Sequence, residues 1–353
     1  MSESGDILFE RRGAAGLVTL NRPRALNAVT HGMVRALRAQ LEHWADDTAV
    51  TRVIVTAAGE RAFSAGGDIR ALYELGRAGR YEEALQFWRD EYPLNAYIKA
   101  YRKPYVSLID GIVMGGGVGV SVHGSHRVAG DRFQFAMPEV GIGFFPDVGA
   151  TWFLPRMPGK IGTYCALTGE RLDANDALAA GIATHRIASA RFAEVLDALS
   201  GSDPVEAVLN AFAEAAPKRP RSLRQDAVDR LFVNDRVEDI LDALDREAES
   251  AGADAEWAKK IAAIIRTKSP LSLKIALEQV RRGKQWDFET CMRAEFRIVS
   301  RIVHGHDFYE GVRAVIVDKD NQPHWKPSEL AQVSAAEVER YFAPAASGDL
   351  ALP

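Results

Sequence analysis

Two β-branched runs, RVIVT (52–56) and YVSLI (105–109), are each followed by a glycine-rich segment and a helical pattern. That order belongs to a parallel sheet, because parallel neighbours need a helical crossover whereas antiparallel ones can be joined by a tight hairpin. The alternation extends to both sides. LVTL (17–20) reads as a strand ending at the turn-prone Asn21-Arg22-Pro23. Thr30 can cap a helix with Met33, Leu37, Leu41 and Trp44 on one face. Further strands are expected at 127–129, 134–136 and 183–187, and a long helix over about 82–101. The first two-thirds of the chain is therefore read as α/β with largely parallel pairing.

After about residue 200 the texture changes to helix-forming runs: 204–216, 236–251, 256–266, 271–282 and 288–304. Between them lie PKRPRS (217–222), AGAD (251–254), KSP (268–270) and RGKQWD (282–287). The expected division is an α/β core over 1–203 and a mainly helical region over 204–353, with frayed ends at 1–5 and 344–353. The chain has 353 residues, room for one large or two ordinary domains. A formal net charge of −4 offers no footprint for nucleic acid or an acidic membrane, and no apolar run is long enough to span a bilayer. The start, MSESGDILFERRGAAG, has neither a secretory pattern nor an Arg- and Ser-rich presequence. Cys165 and Cys291 give no disulfide framework and no zinc pattern. These features lead to a cytoplasmic expectation.

Chemistry concentrates in three segments. SAGGDI (64–69) and DGIVMGGGVG (110–119) each follow a strand and open a helical run, 118–123 in the second case, and Asp68 can cap the first helix. Either alone is an ordinary strand-to-helix turn. Together they can aim two backbone N–H groups at one point, the geometry that stabilises negative charge on a carbonyl oxygen. The dinucleotide, P-loop and serine-hydrolase fingerprints cannot be placed. His123 and His126 lack a local third ligand and read as polar helix-end residues, and Cys165 reads as a packed thiol.

The third segment, MPEVGIGFFPDVG (137–149), is apolar yet carries Glu139 and Asp147. Its glycines and prolines make it a shaped loop rather than a helix. Two carboxylates packed against the glycine turns would have pKa values pushed apart, suiting one as base or nucleophile and the other as acid. The alternative is structural: Asp147 as a helix cap and Glu139 in an ion pair. For either residue alone the two readings are balanced.

Taken together, NRPRALNA (21–28), FSAGGDI (63–69), DGIVMGGGVG (110–119) and MPEVGIGFFPDVGA (137–150) resemble the enoyl-CoA hydratase/isomerase (crotonase) superfamily over about 10–190. The resemblance implies a spiral of ββα units that binds acyl-CoA thioesters, followed here by the C-terminal helical region. It implies oxyanion-hole amides at Gly67 and Gly116, and CoA lying along Arg24, Ala25, Ala65, Asp68 and Ile69. One departure is informative: a hydratase of this superfamily has a second glutamate where this chain has Gly119, and glycine where this chain has Asp147. With EGVRAVIVDKDNQPHWKP (310–327), the pattern resembles the 3-hydroxyisobutyryl-CoA hydrolase branch, and RDEY (89–92) then places Glu91 in the substrate site.

The resemblance implies hydrolysis of a short branched hydroxyacyl-CoA, 3-hydroxyisobutyryl-CoA of valine degradation, by Glu139 and Asp147. It implies no metal and no cofactor beyond the CoA of the substrate, and a homo-oligomer. Two readings compete: an enoyl-CoA hydratase or isomerase, and a non-catalytic acyl-CoA-binding protein. A nicotinamide-dependent oxidoreductase lacks its fingerprint.

Overall fold

Where the sequence reading sees one strand, at 52–56 and again at 105–109, the chain builds two. The computed structural model describes residues 5–215, 223–344 and 348–352. Its strands are β1 (Ile7–Arg12), β2 (Ala15–Leu20), β3 (Arg52–Ala57), β4 (Ala62–Ser64), β5 (Tyr105–Ile109), β6 (Ile112–Met114), β7 (His126–Ala129), β8 (Gln134–Ala136), β9 (Leu172–Asp173) and β10 (His185–Arg186). One sheet has the order β1-β2-β3-β5-β7-β10 and the other β4-β6-β8-β9. β2, β3, β5, β7 and β10 run parallel, as do β4, β6 and β8; only β1 and β9 are antiparallel to their neighbours.

Each turn of the spiral thus lays one strand in the large sheet and the next in the small one: β3 then β4, β5 then β6, β7 then β8. The corners are tight. Between β5 and β6, Gly111 has φ +83°, and a Cβ there would fall 2.6 Å from the Arg61 carbonyl oxygen. The three-residue strands β4 and β6 escape a periodicity search because they are too short to alternate and run directly into glycine.

The α/β expectation holds, as do most elements. Thr30 accepts the Met33 N–H and caps His31–Asp46, whose Met33, Val34, Leu37, Leu41 and Trp44 are buried. Asp68 caps Ile69–Arg77 by accepting the Ala71 N–H. The long helix runs Tyr81–Lys99. The run expected over 118–123 is instead a short helix, Gly116–Gly119, followed by turns, since the chain must reach β7 within a few residues. The last strands of the two sheets lie before residue 187, and helices dominate beyond it, but the larger of two apolar clusters links Ile7 to Leu350. The C-terminal end is not frayed throughout: Leu350 is buried and Asp349 pairs with Arg297. PKRPRS (217–222) lies outside the described residues.

Two C-terminal helices reach back to the α/β core. Pro270–Gly283 is capped by Ser269 and Phe288–Ile302 by Asp287. Both pack against the segment that carries Asp147.

Candidate active site

The three chemistry-bearing segments each follow a strand of the small sheet. Ala65-Gly66-Gly67 leaves β4, Gly115-Gly116 leaves β6, and Pro138-Glu139 leaves β8. Because β4, β6 and β8 are parallel neighbours, all three segments emerge from one edge, where α/β sheets bind ligands.

The two glycine turns touch. A Cβ built on Gly116 would lie 3.2 Å from the Gly67 nitrogen and 2.7 Å from Glu91 Oε1. One on Gly115 would lie 3.4 Å from Glu139 Oε1. Gly66 (φ +116°) and Gly115 (φ +44°) occupy backbone regions that side chains resist. Neither the Gly67 nor the Gly116 N–H finds an acceptor among the described residues. Two free, neighbouring amides flanked by two carboxylates therefore define the centre of the site.

A cavity of about 690 Å³ opens over them. Gly67, Gly116, Glu91, Glu139 and Asp147 line it together with Ala25, Ala65, Asp68 and Ile69. Arg24 does not: it is exposed on the short helix Pro23–Ala25, one residue before the wall, and its side chain is left to solvent. Asp68 also pairs with Arg22 at 3.1 Å, so its charge is already matched. The apolar wall includes Trp88 stacked on Phe144, with ring centroids 5.6 Å apart.

Glu91, Glu139 and Asp147 are all buried. Glu91 and Tyr92 sit on the inner face of Tyr81–Lys99. The Tyr92 hydroxyl donates to Asp147 Oδ2 at 2.9 Å. Glu139 makes no ion pair and its Oε2 has no partner among the described residues; Glu91 Oε1 is likewise unpartnered. The structural alternatives for the two acids thus find no support, since the Asp147 side chain caps nothing and Glu139 is unpaired.

Burial pushes Asp147 up to about 7, against the Tyr92 hydrogen bond that favours its charge. Burial, and then the charge of Asp147, raise Glu139 well above the usual carboxylate range, and the same causes raise Glu91. Buried acids this close do not ionise independently. Tyr92 favours the ionised form on Asp147, and the Asp147 charge in turn favours the protonated forms of Glu139 and Glu91.

Sequence reasoning missed several groups. Tyr92 adjoins Glu91 in the same RDEY segment. Lys268 lines the cavity with no carboxylate in ion-pair range among the described residues, and burial lowers its pKa. Glu295 lies on the apolar face of its helix with Met292, Phe296 and Val299, and a lone acid on such a face was a readable signal. His123 is buried rather than at a polar helix end. It donates from Nε2 to the Val148 carbonyl at 2.6 Å, and burial lowers it to about 4, keeping it neutral. Cys165 is a packed thiol raised by burial to about 12. No cluster able to hold a metal ion occurs among the described residues, and none of their helices is long and apolar enough to cross a membrane.

A parallel two-sheet spiral with paired free amides beside buried acids at one sheet edge is equipped to stabilise an oxyanion, as an acyl-transfer enzyme must. The family model described as enoyl-CoA hydratase/isomerase matches residues 15–342, and the chain belongs to that family, the crotonase superfamily. It is 44% identical to the 3-hydroxyisobutyryl-CoA hydrolase, mitochondrial, of Danio rerio, over 98% of this chain and 92% of that one. The human protein of the same name is 41% identical over 98% of this chain and 90% of its own length. Among solved structures, a carnitinyl-CoA dehydratase from Mycobacterium thermoresistibile superposes with a TM-score of 0.91 at 43% identity, covering 98% of both chains. An enoyl-CoA hydratase from Rhodobacter sphaeroides gives 0.90 at 38% identity, covering 99% of this chain and all of that one.

These relatives overturn the cytoplasmic expectation, because the curated relatives are named as mitochondrial proteins.

Proposed function

We propose that this chain hydrolyses 3-hydroxyisobutyryl-CoA to 3-hydroxyisobutyrate and free CoA. The observation that carries the reading is the pair of free amides, Gly67 and Gly116, facing one cavity with the unpartnered Glu139 and the Tyr92-bound Asp147. The curated relatives named for this activity, at 41–44% identity over nearly the whole chain, supply the acyl group.

In the proposed reaction the two amides hold the thioester carbonyl oxygen as it becomes an oxyanion. One such donor typically contributes ~10²–10³ in rate. Glu139 supplies the attack. Either it takes a proton from water while the water oxygen bonds to the carbonyl carbon, or its own oxygen bonds there. The carbon–sulfur bond then breaks and the thiolate leaves as CoA. On the first route Glu139 returns its proton to the sulfur; on the second the thiolate takes a proton from solvent, and water then opens the anhydride left on Glu139. Asp147 and Glu91 receive the substrate hydroxyl. Because the Asp147 charge favours the protonated form of Glu139, attack requires loss of that proton, and kcat/KM should rise with pH through its upshifted value. A thioester is already activated for acyl transfer, so the reaction needs no resident cofactor.

Hydration of an enoyl-CoA is the competing reading, favoured by the names of the two solved structures. Against it stands Gly119, where a Cβ would fall 2.7 Å from Asn95 Nδ2 and 3.0 Å from Val148 Cβ, leaving no room for a second acid on that side. The test is to follow thiol release from 3-hydroxyisobutyryl-CoA and enoyl loss from crotonyl-CoA in parallel. Thiol release abolished by Glu139→Gln supports hydrolysis. Enoyl loss without thiol release overturns it in favour of hydration, and CoA-ester binding with neither leaves a non-catalytic binder.

A further inference from the structure

Glu295 lines no part of the cavity and belongs to no motif, yet it is wholly buried with both oxygens engaged. Oε2 accepts the Gly149 N–H at 2.7 Å and Oε1 the Thr151 N–H at 2.9 Å. Those amides belong to the turn immediately after Asp147. The turn is strained: Val148, a β-branched residue, has φ +52°, and Gly149 follows at +89°. Two further buried side chains grip the same turn. Gln279 Nε2 donates to the Pro146 carbonyl at 2.6 Å and to Thr151 Oγ1 at 2.8 Å, and His123 holds the Val148 carbonyl. A carboxylate can accept an N–H on each oxygen, whereas a glutamine can accept on only one. A fourth acid buried beside Glu91, Glu139 and Asp147 is costly. A neutral acceptor would cap the short helix Ala150–Phe153 at lower cost.

We propose that Glu295 is a positioning residue for the hydrolysis reaction, clamping the strained turn that aims Asp147 into the cavity and biasing the protonation of the acid pair with its charge. This rests on the hydrolase reading above. The ionisable groups facing it are Asp147 on the clamped loop, Glu139 after β8, Glu91 and Tyr92 on Tyr81–Lys99, and Cys291 one turn earlier on its own helix. Burial pushes Glu295 upward, but an N–H donated to each of its two oxygens is the geometry of the ionised form, and the charge so held raises Glu139.

The test compares Glu295→Gln, which removes the charge and one acceptor, with Glu295→Asp, which keeps the charge but is one methylene too short to reach both amides. For Glu295→Gln, kcat should fall roughly 10–100-fold, the range expected for slight misplacement of a reacting group, with KM within about threefold. The acid limb of kcat/KM should move to lower pH, since losing a negative neighbour eases ionisation of Glu139. Glu295→Asp should lower kcat while leaving that limb in place. Hydrogen exchange at the Gly149 and Thr151 amides should quicken in both variants. Unchanged kcat and pH profile beside a mere loss of thermal stability would overturn the proposal. Should the wild type release no thiol, the hydrolase reading fails by itself. Exchange at Gly149 and Thr151 and the carboxyl titration of Asp147, followed by carbon-13 NMR in wild type and Glu295→Gln, then decide the Glu295 proposal: no change in either sinks it.

Discussion

Asp147→Asn should abolish turnover and yet make the folded protein more stable, but only at neutral and alkaline pH. Asparagine keeps an oxygen to accept the Tyr92 hydroxyl and nearly the same volume, so the substitution mainly removes a charge. In the unfolded chain the carboxyl ionises near 3.8; in the fold, burial delays this to about 7. The sign comes from linkage. Below the unfolded value both states hold the proton, and the aspartate carries no ionisation penalty. As pH rises from about 4 to about 7 the unfolded state releases its proton first and is favoured, so stability falls; above 7 the full penalty applies. A rise from 3.8 to about 7 is roughly three units. At about 1.4 kcal/mol per unit, the cost is about 4 kcal/mol. Removing it should raise the melting temperature by roughly 5–10 °C at pH 8 and leave it nearly unchanged at pH 4. Thermal melts of wild type and variant at the two pH values, with thiol release measured alongside, provide the check. An equal difference at both pH values, or a less stable variant at pH 8, would refute the account of Asp147 as a buried acid held against its own solvation.

Gly116→Ala probes the paired amides. Its Cβ would fall 2.7 Å from Glu91 Oε1 and 3.2 Å from the Gly67 nitrogen, so kcat should drop ~10²–10³-fold, the effect of losing one donor, while far-UV circular dichroism stays unchanged. Lys268→Ala removes a cation at the cavity wall. KM for the CoA ester should rise about tenfold with kcat within twofold, and the dependence of KM on ionic strength should weaken, as expected when a charge contact to an anionic ligand is lost.

Much of this was readable in the chain. The alternation of VIV and VSLI with glycine turns and helices specified parallel pairing, and the Thr30 and Asp68 caps marked helix starts through local side-chain-to-backbone bonds. Glu139 and Asp147 were named from residue type and setting, Gly67 and Gly116 from the family resemblance, and all meet in one cavity. The strands β4 and β6 were not visible: three residues carry no period, and unlike the equally short β8 each was absorbed into the glycine motif that follows it. Arg24, carried over by resemblance, lies exposed one residue before the cavity wall.

What the sequence by itself determined, then, is what depends on neighbours within a few residues: helix caps, glycine turns, the strand–helix order, and the presence of carboxylates in an apolar run. What only the tertiary structure decided is which of those pieces face one another and how readily their acids ionise. The parallel register of β4, β6 and β8 brings three loops to one edge although some 75 residues separate Ser64 from Glu139. The clamp on the Asp147 turn arrives from Gln279 and Glu295, more than 120 residues further on. Protonation is equally non-local, because burial by the whole fold, more than any neighbour in sequence, moves Asp147 to about 7 and pushes Glu295 upward. Desolvation sums over everything that excludes water from a group, and no short stretch of sequence records that sum.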